Sequence, residues 1–491
     1  MNLKSLMALA AIVLALSACG SATPAASPTA TQAMAKATAT ALPAATAVKT
    51  ATATSAQTNA PPGGAPPAGN PPPGAGTGAQ SATQGLSTAT GKYALDGKTA
   101  TENGLNVTTA ITDQSGIYVT NGGSLTVANA AVNTSGNTSS DENSSFYGLN
   151  AGVLAAGGSK IVMNDSVITT TGTGANGAFA TGAGSSVALK NVTISATGDG
   201  GHGIMATQGG AVTLENVVMN TTGAHSAPIA TDRGSGTVVS TGGSVTSSGA
   251  DSPCYYSTGD ITVNGNTCKT TSSEIAVIEG ANAITLKDVT AQTSATTEKW
   301  GVMIYQSFSG DALGSHGIFT ATGGALTNTA AKGAMFYVTN SHGTITLNGV
   351  KVSAASGVLL QAAANDRWGT SGSNGGTAEL VGIGQTLNGN LVADKISAIS
   401  LSLQKNSAFT GAINAENTAK TASLTLDATS SWNVGADSYL TCLANADGIS
   451  GTTVSNITGN GHTVYYNASA CAALGGKTYT LNGGGTLKPL S

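Results

Sequence analysis

Nine positions in this chain carry a turn-forming residue directly after a short apolar-alternating run: Asn129, Asp165, Asn191, Asn216, Gly242, Gly265, Asp288, Gly323 and Gly349. Most lie 23 to 26 residues after the one before, and two intervals are longer. Asn, Asp and Gly are the residues that accept a left-handed backbone. One sharp bend recurring at a fixed period is the mark of a chain that winds in stacked coils. That pattern constrains the architecture far more than it constrains the activity.

Three successive units show the rule of the repeat. Residues 152–172 read GVLAAGGSKIVMNDSVITTTG, residues 177–198 read GAFATGAGSSVALKNVTISATG, and residues 203–223 read GIMATQGGAVTLENVVMNTTG. Each holds a strand after Gly, a Gly-rich turn, a second strand, the Asn/Asp bend, and a third strand ending in Thr or Ser. Alternation such as Val212, Leu214 and Val217, Met219 puts apolar side chains on one face. Three short strands cannot enclose a core alone. Stacked at about 4.8 Å, each pairs with its counterpart one turn away. The expected fold is therefore all-β, a single-stranded right-handed parallel β-helix with an Asn/Gly ladder at one turn. In it the Asn side chains hydrogen-bond along the stack. A β-sandwich, the rival, has no need of the same turn residue at the same phase nine times. The pattern blurs beyond about residue 376 but persists in Leu401, Leu403, Leu424 and Leu426. The expectation is 12 to 14 coils, roughly 60 Å long, over residues 91–437, with residues 438–491 forming C-terminal coils and a cap.

Composition agrees with that architecture. Of 491 residues 67 are Gly and only 9% are charged, against about 25% in an ordinary globule. The net charge of −4 and the lack of a basic run leave nucleic-acid binding without its electrostatic footprint.

The N-terminus reads as a targeting segment over residues 1–18. Lys4 starts it, Leu6 to Leu16 form a short apolar run, and Leu16-Ser17-Ala18-Cys19 resembles the bacterial lipobox, which implies lipidation at Cys19. Gly20 in place of Asp favours an outer membrane where a cell has two. Residues 19–90 are Ala, Thr, Ser, Pro and Gly with few charges, and cannot bury a core. They read as a disordered stalk reaching about 200 Å at the limit of polyproline geometry. The expected location is thus extracytoplasmic, lipid-anchored to a cell surface. In that compartment the remaining Cys254, Cys268, Cys442 and Cys471 suggest disulfides, and proximity pairs 254 with 268 and 442 with 471.

The body resembles the right-handed parallel β-helices of the pectin-lyase-like superfamily over about residues 92–440, with the Asn ladder as the most specific element. In finer detail it is similar to adhesin-like bacterial surface proteins. The superfamily implies polysaccharide lyases and glycoside hydrolases. Gly201-His202-Gly203 matches one polygalacturonase motif, but the Asp-Asp pair and the other motifs of that family are absent. Glycoside hydrolysis needs two carboxyl groups at a controlled separation.

Scarce charges and aromatics gather along one side. Aligned first strands put Thr207, Thr231, Ser257, Glu279, Tyr305, Val338 and Gln361 in one column. Asp232, Arg233, Glu279, Trp300, Tyr305, Gln306, Asn340, Asp366, Arg367 and Trp368 lie in or beside it. Such a set suits a sugar chain through stacking and bidentate hydrogen bonds, or places a carboxylate for acid–base work. Asp-Arg pairs that tie down loops are the plainer reading. A second ladder, Thr134, Thr170, Thr197, Thr221, Thr246 and Thr271, lacks the Thr-x-Thr regularity that ice binding needs. No cofactor or metal site is implied, since zinc spacings and the Gly-Gly-x-Gly-x-Asp repeat are missing. The expected role is structural or adhesive: a rigid wall of hydroxyl and amide groups binding a glycan or partner surface through many weak contacts. The alternative is a lyase or hydrolase at Asp232, Glu279 and Arg367. Asp232, Glu279, Asp311 or Asp366 carboxylates gathered in an open cleft would favour an enzyme or a calcium site; carboxylates each paired with Arg or a backbone amide would favour adhesion.

Overall fold

The computed structural model describes residues 85–445 and 447–490. The expected signal segment, Cys19 and the stalk as far as residue 84 lie outside the described residues. The remainder winds as a right-handed parallel β-helix of about 16 turns. A first sheet of 12 strands runs from Thr90–Asp96 to Asn390–Ala393, a second of 14 from Thr99–Asn103 to Cys442–Ala444, and a third of 10 from Asn106–Thr109 to Lys351–Ala354. A fourth sheet of 9 strands begins at Thr386–Asn388 and closes over the C-terminal end. The turn count exceeds the 12 to 14 expected, and the rise is about 75 Å at strand spacing. The bend residue changes in the later coils: Gly384 keeps the left-handed corner at φ 57°, Lys405 takes it at φ 56°, and Asp427 follows the strand Thr421–Leu426 without it, which is why the pattern blurs there.

The core is a column inside the coils. On the second sheet Val187, Val212, Val238, Ile261 and Ile284 stand in consecutive register, each at most 1% exposed. Each such side chain contributes about 1.5–3 kcal/mol by leaving water. On the third sheet Ile168, Ile194, Met219, Val245 and Cys268 do the same. Cys254–Cys268 and Cys442–Cys471 are both bonded, as proximity suggested, with Cα–Cα distances of 6.2 and 4.9 Å. The first joins the start of a first-sheet strand to the third sheet within the core.

All nine ladder residues take the left-handed conformation, with φ between 50° and 67°. Asn129 Nδ2 donates to Asn103 Oδ1 at 2.8 Å, and Asn191 Nδ2 to Asp165 Oδ1 at 2.9 Å. The backbone amide donates to the next coil with or without a polar side chain at the position: Asn191 N to Glu215 O at 2.9 Å, and Gly242 N to Asn264 O and Gly265 N to Lys287 O, both at 2.8 Å.

The Thr ladder needs correction. Thr134, Thr170 and Thr221 face inward and are buried, in a column continued by Ala196, Ser247 and Thr270. Thr246 faces outward on the third sheet, and Thr197 and Thr271 lie one residue past the column. The six are not one exposed array, because a shift of one residue turns a strand side chain to the opposite face.

The two ends differ. At the C-terminal end two antiparallel pairings, Ile449–Ser450 with Thr453–Thr458 and Tyr479–Asn482 with Thr486–Pro489, fold the last coil back on itself. At the N-terminal end Glu102, in register with buried Val127, points into the coil and accepts a hydrogen bond from Tyr93 Oη at 3.0 Å.

Candidate functional site

The outer face of the first sheet is covered. Its strands Val153–Ala156, Ala178–Thr181, Ile204–Thr207, Ala276–Glu279, Val302–Tyr305 and Phe336–Thr339 are buried along their whole length. A short helix, Asp141–Tyr147, covers the early coils. Ser140 caps its N-terminus by accepting from Asn143 N at 3.2 Å, and Gly148 ends it with φ 80°. Thr207 Oγ1 donates to the Phe146 carbonyl at 2.7 Å. Over the later coils Val277, Met303, Tyr305 and Tyr337 form an outer apolar cluster with Trp300, Ala363 and Trp368.

The register corrects the predicted column. Thr231 pairs with Ala206, Ser257 with Ile278, and Val338 with Ile304, so all three point into the core. The strands holding Thr231 and Ser257 have three residues rather than four, and Asp232 follows Thr231 into the outward position. Glu279, Tyr305 and Thr339 do share an outward column. Gln361 belongs to the neighbouring one with Tyr337.

Glu279 is 2% exposed. Tyr256 Oη donates to its Oε2 at 2.7 Å and Tyr305 Oη at 2.8 Å. Its Oε1 accepts from Ser307 Oγ and, at 3.2 Å, from Ser309 Oγ. The two serine hydroxyls are 2.7 Å apart. Four hydroxyls thus satisfy one buried carboxylate, and charge-assisted bonds of this type are the strong ones. Burial, then the Glu279 charge, pushes both tyrosine hydroxyls well above the usual phenol range.

A second centre forms around Arg233, whose guanidinium lies 3.7 Å over the Phe146 ring. Its Nη2 is 2.6 Å from Asp311 Oδ1, and its Nη1 is 3.2 Å from Glu142 Oε1. Asp232 Oδ1 accepts from the Arg233 amide at 2.7 Å. Burial first, and the Asp311 carboxylate second, raise the Asp232 carboxyl well above the ordinary range. Asp311 and the two serines sit on one segment, 306–315, which therefore ties the Glu279 and Arg233 centres together.

The aromatic candidates assemble beside these. Trp300 stacks on Tyr337 with centroids 4.2 Å apart, and Trp368 lies 4.5 Å from Tyr305. Asn340 Nδ2 donates to the Gln306 carbonyl at 2.7 Å, and Gln306 Nε2 to the Ala312 carbonyl at 3.0 Å, so both amides shape the 306–315 segment. Asp366 and Arg367 are exposed on the next loop, with Arg367 4.8 Å above the Trp368 ring. Asn365 Oδ1 accepts from the amides of Arg367 and Trp368, and Asn374 Nδ2 donates to the Trp368 carbonyl at 2.8 Å.

Tyr256, Ser307, Ser309 and Glu142 were not expected at the site. Tyr256 was obscured by the register slip, and Glu142 lies 91 residues from its partner. The alternating serines of Ser307-Phe308-Ser309 were a local signal that could have been read. His202 serves the scaffold: its Nδ1 is 3.1 Å from Asn176 Oδ1, and desolvation together with His225 lowers its pKa to about 4. Among the described residues no group of three or more His, Cys, Asp or Glu is arranged to hold a metal.

Chemically, the centre is a carboxylate saturated by hydroxyl donors beside a neutralised Arg cluster. It is arranged to hold hydroxyls, and for the Glu279 carboxylate to take a proton from any other group those bonds would first have to break. Compared with known protein families, curated proteins and solved structures, the chain has no significant match; its fold alone places it, as an all-β right-handed parallel β-helix.

Proposed function

We infer that this protein is a cell-surface scaffold that binds an extended glycan through many weak polar contacts. The observation that carries the reading is the outer wall of the second sheet. Thr213, Val239, Thr262, Thr285, Thr320 and Thr346 follow one another in unbroken register, all outward and at least partly exposed. Methyl groups therefore recur at each strand step of about 4.8 Å, and hydroxyl groups at every step but that of Val239. Single contacts of this kind are weak, but simultaneous engagement multiplies them. A second support is the state of the candidate carboxylates. Glu279 is held by four hydroxyls and Asp311 by Arg233. A lyase or hydrolase would need such groups free to exchange protons. Lipid anchoring at Cys19 would present the wall away from the membrane.

Co-sedimentation of the purified chain with insoluble polysaccharides and with isolated bacterial wall material tests this reading. Retention on at least one of them, reduced about tenfold or more by Thr213→Lys with Thr285→Lys, is expected. Failure to sediment with any of them, or retention indifferent to those substitutions, overturns it.

A further inference from the structure

We propose that Glu279 is a receptor for the vicinal diol of a saccharide, and that Ser307 and Ser309 occupy it in the free protein as an internal substitute for that ligand. The inference rests on the glycan-binding reading above and adds to the wall of the second sheet a separate saccharide site on the first.

The geometry of the loop carries the argument. Ser307 and Ser309 are two residues apart, and both hydroxyls fall on one carboxylate oxygen of Glu279, 2.7 Å from each other. Adjacent ring hydroxyls of a sugar present the same pair of donors to a carboxylate. The other oxygen is already fixed by Tyr256 and Tyr305, so the carboxylate is held in place for whichever diol arrives. Trp368, half-buried 4.5 Å from Tyr305, supplies an aromatic wall for the apolar face of a sugar ring.

The segment is also suited to leaving. Between the two serines, Phe308 is 70% exposed, and further along Leu313 is 83% exposed. The largest apolar side chains of the loop therefore contribute little burial to hold it shut. What holds it is polar, and a saccharide diol replaces those bonds one for one. Gly310, at φ 73° with open space around it, follows the serines and allows the chain to pivot. The far end stays attached, because Asp311 remains paired to Arg233. Segment 307–309 would swing out while the loop keeps its anchor.

Removing the internal substitute should raise affinity, which no merely structural role of the serines predicts. The test is calorimetric titration of the wild-type chain, the Ser307→Ala/Ser309→Ala double variant and Glu279→Gln. The probes are cellohexaose, mannohexaose and hexagalacturonate, each intact and after periodate cleavage of its diols, and circular dichroism verifies each fold. The expected result is binding of at least one intact probe about tenfold tighter by the double variant than by wild type, a difference of about 1.4 kcal/mol. Glu279→Gln should lose at least tenfold, and periodate cleavage should abolish binding. If the folded double variant binds no probe, or binds no tighter than wild type and Glu279→Gln, the diol site is overturned. The scaffold reading survives that result if wild-type chain still sediments with polysaccharide, and falls with it if nothing is retained.

Discussion

The side-chain oxygen of Asn216 fills the space a β-carbon on Gly242 would need: the two atoms would be only 2.4 Å apart. Asp288 and Gly323 stand in the same relation one ladder step apart, at 2.2 Å. At these two places, where Gly follows Asn or Asp in the ladder, the polar side chain of the earlier coil occupies the space beside the glycine, whereas Asp165, Asn191 and Asn216 stack on one another with no glycine between them. At Gly265, by contrast, a β-carbon would meet nothing within 4 Å, although φ is also left-handed, at 62°.

Two ladder substitutions should therefore separate. Gly242→Ala combines a left-handed strain with displacement of the Asn216 carboxamide and should cost about 1–3 kcal/mol. Gly265→Asn meets open space with a residue that tolerates this conformation, and should change stability by less than about 1 kcal/mol. Denaturant unfolding of both variants measures the difference. Equal losses would show that the Asn216 side chain does not restrict position 242.

Glu102 should act as a guard on the N-terminal end. Coils ending in open strand edges can template association, and inward-pointing charges oppose it. Replacing Glu102 by Val removes the charge that Tyr93 satisfies and extends the apolar column to the edge of the first coil among the described residues. Sedimentation velocity is expected to show dimers or longer end-to-end species for Glu102→Val, with wild type under the same conditions remaining unassociated through this end.

Arg233 holds segment 306–315 through Asp311 and the helix through Glu142. Arg233→Leu leaves Asp311, 11% exposed, without its cation. Losing one partner of a buried pair typically costs 3–5 kcal/mol. Glu142 is 36% exposed and screened by solvent, so the low end, about 3 kcal/mol, is expected. Hydrogen exchange should accelerate in 306–315 and 141–147 before it does in the second sheet.

Acid stability should show two opposing contributions. The His202 pKa is lowered to about 4 in the fold, so below about 6.5 the unfolded chain binds the proton that the folded chain refuses, and stability falls from pH 6.5 towards 4. Asp232 behaves in reverse. Its carboxyl is raised, so folding favours the protonated form, and stability declines as pH rises from its unfolded pKa through its folded one. Asp232→Asn should raise the melting temperature at pH 7 and leave it nearly unchanged at pH 3. His202→Gln should remove the loss between pH 6.5 and 4. Thermal melts across that range decide both, and a melting temperature of Asp232→Asn below wild type at pH 7 would contradict the assignment.

The coil, its bend and its core columns were legible in the sequence because they are local and periodic. A left-handed corner demands Asn, Asp or Gly wherever it occurs, and strand alternation sorts inside from outside within five residues. The cysteine pairs followed because their partners lie 14 and 29 residues apart. The site was legible only as a neighbourhood. Glu279, Tyr305, Trp300 and Trp368 were expected together and are together, whereas Thr231, Ser257 and Val338 were placed on the wrong face. Thr231 and Ser257 end strands of three residues rather than four, and Val338 sits one position before the outward Thr339 in a four-residue strand; only the stacking of neighbouring coils resolves either offset. Tertiary structure alone decided that segment 306–315 folds back onto the first sheet, delivers two serines to Glu279 and brings Asp311 to Arg233. The Arg233–Asp311 contact spans 78 residues, and no local preference encodes a hydrogen bond across that distance.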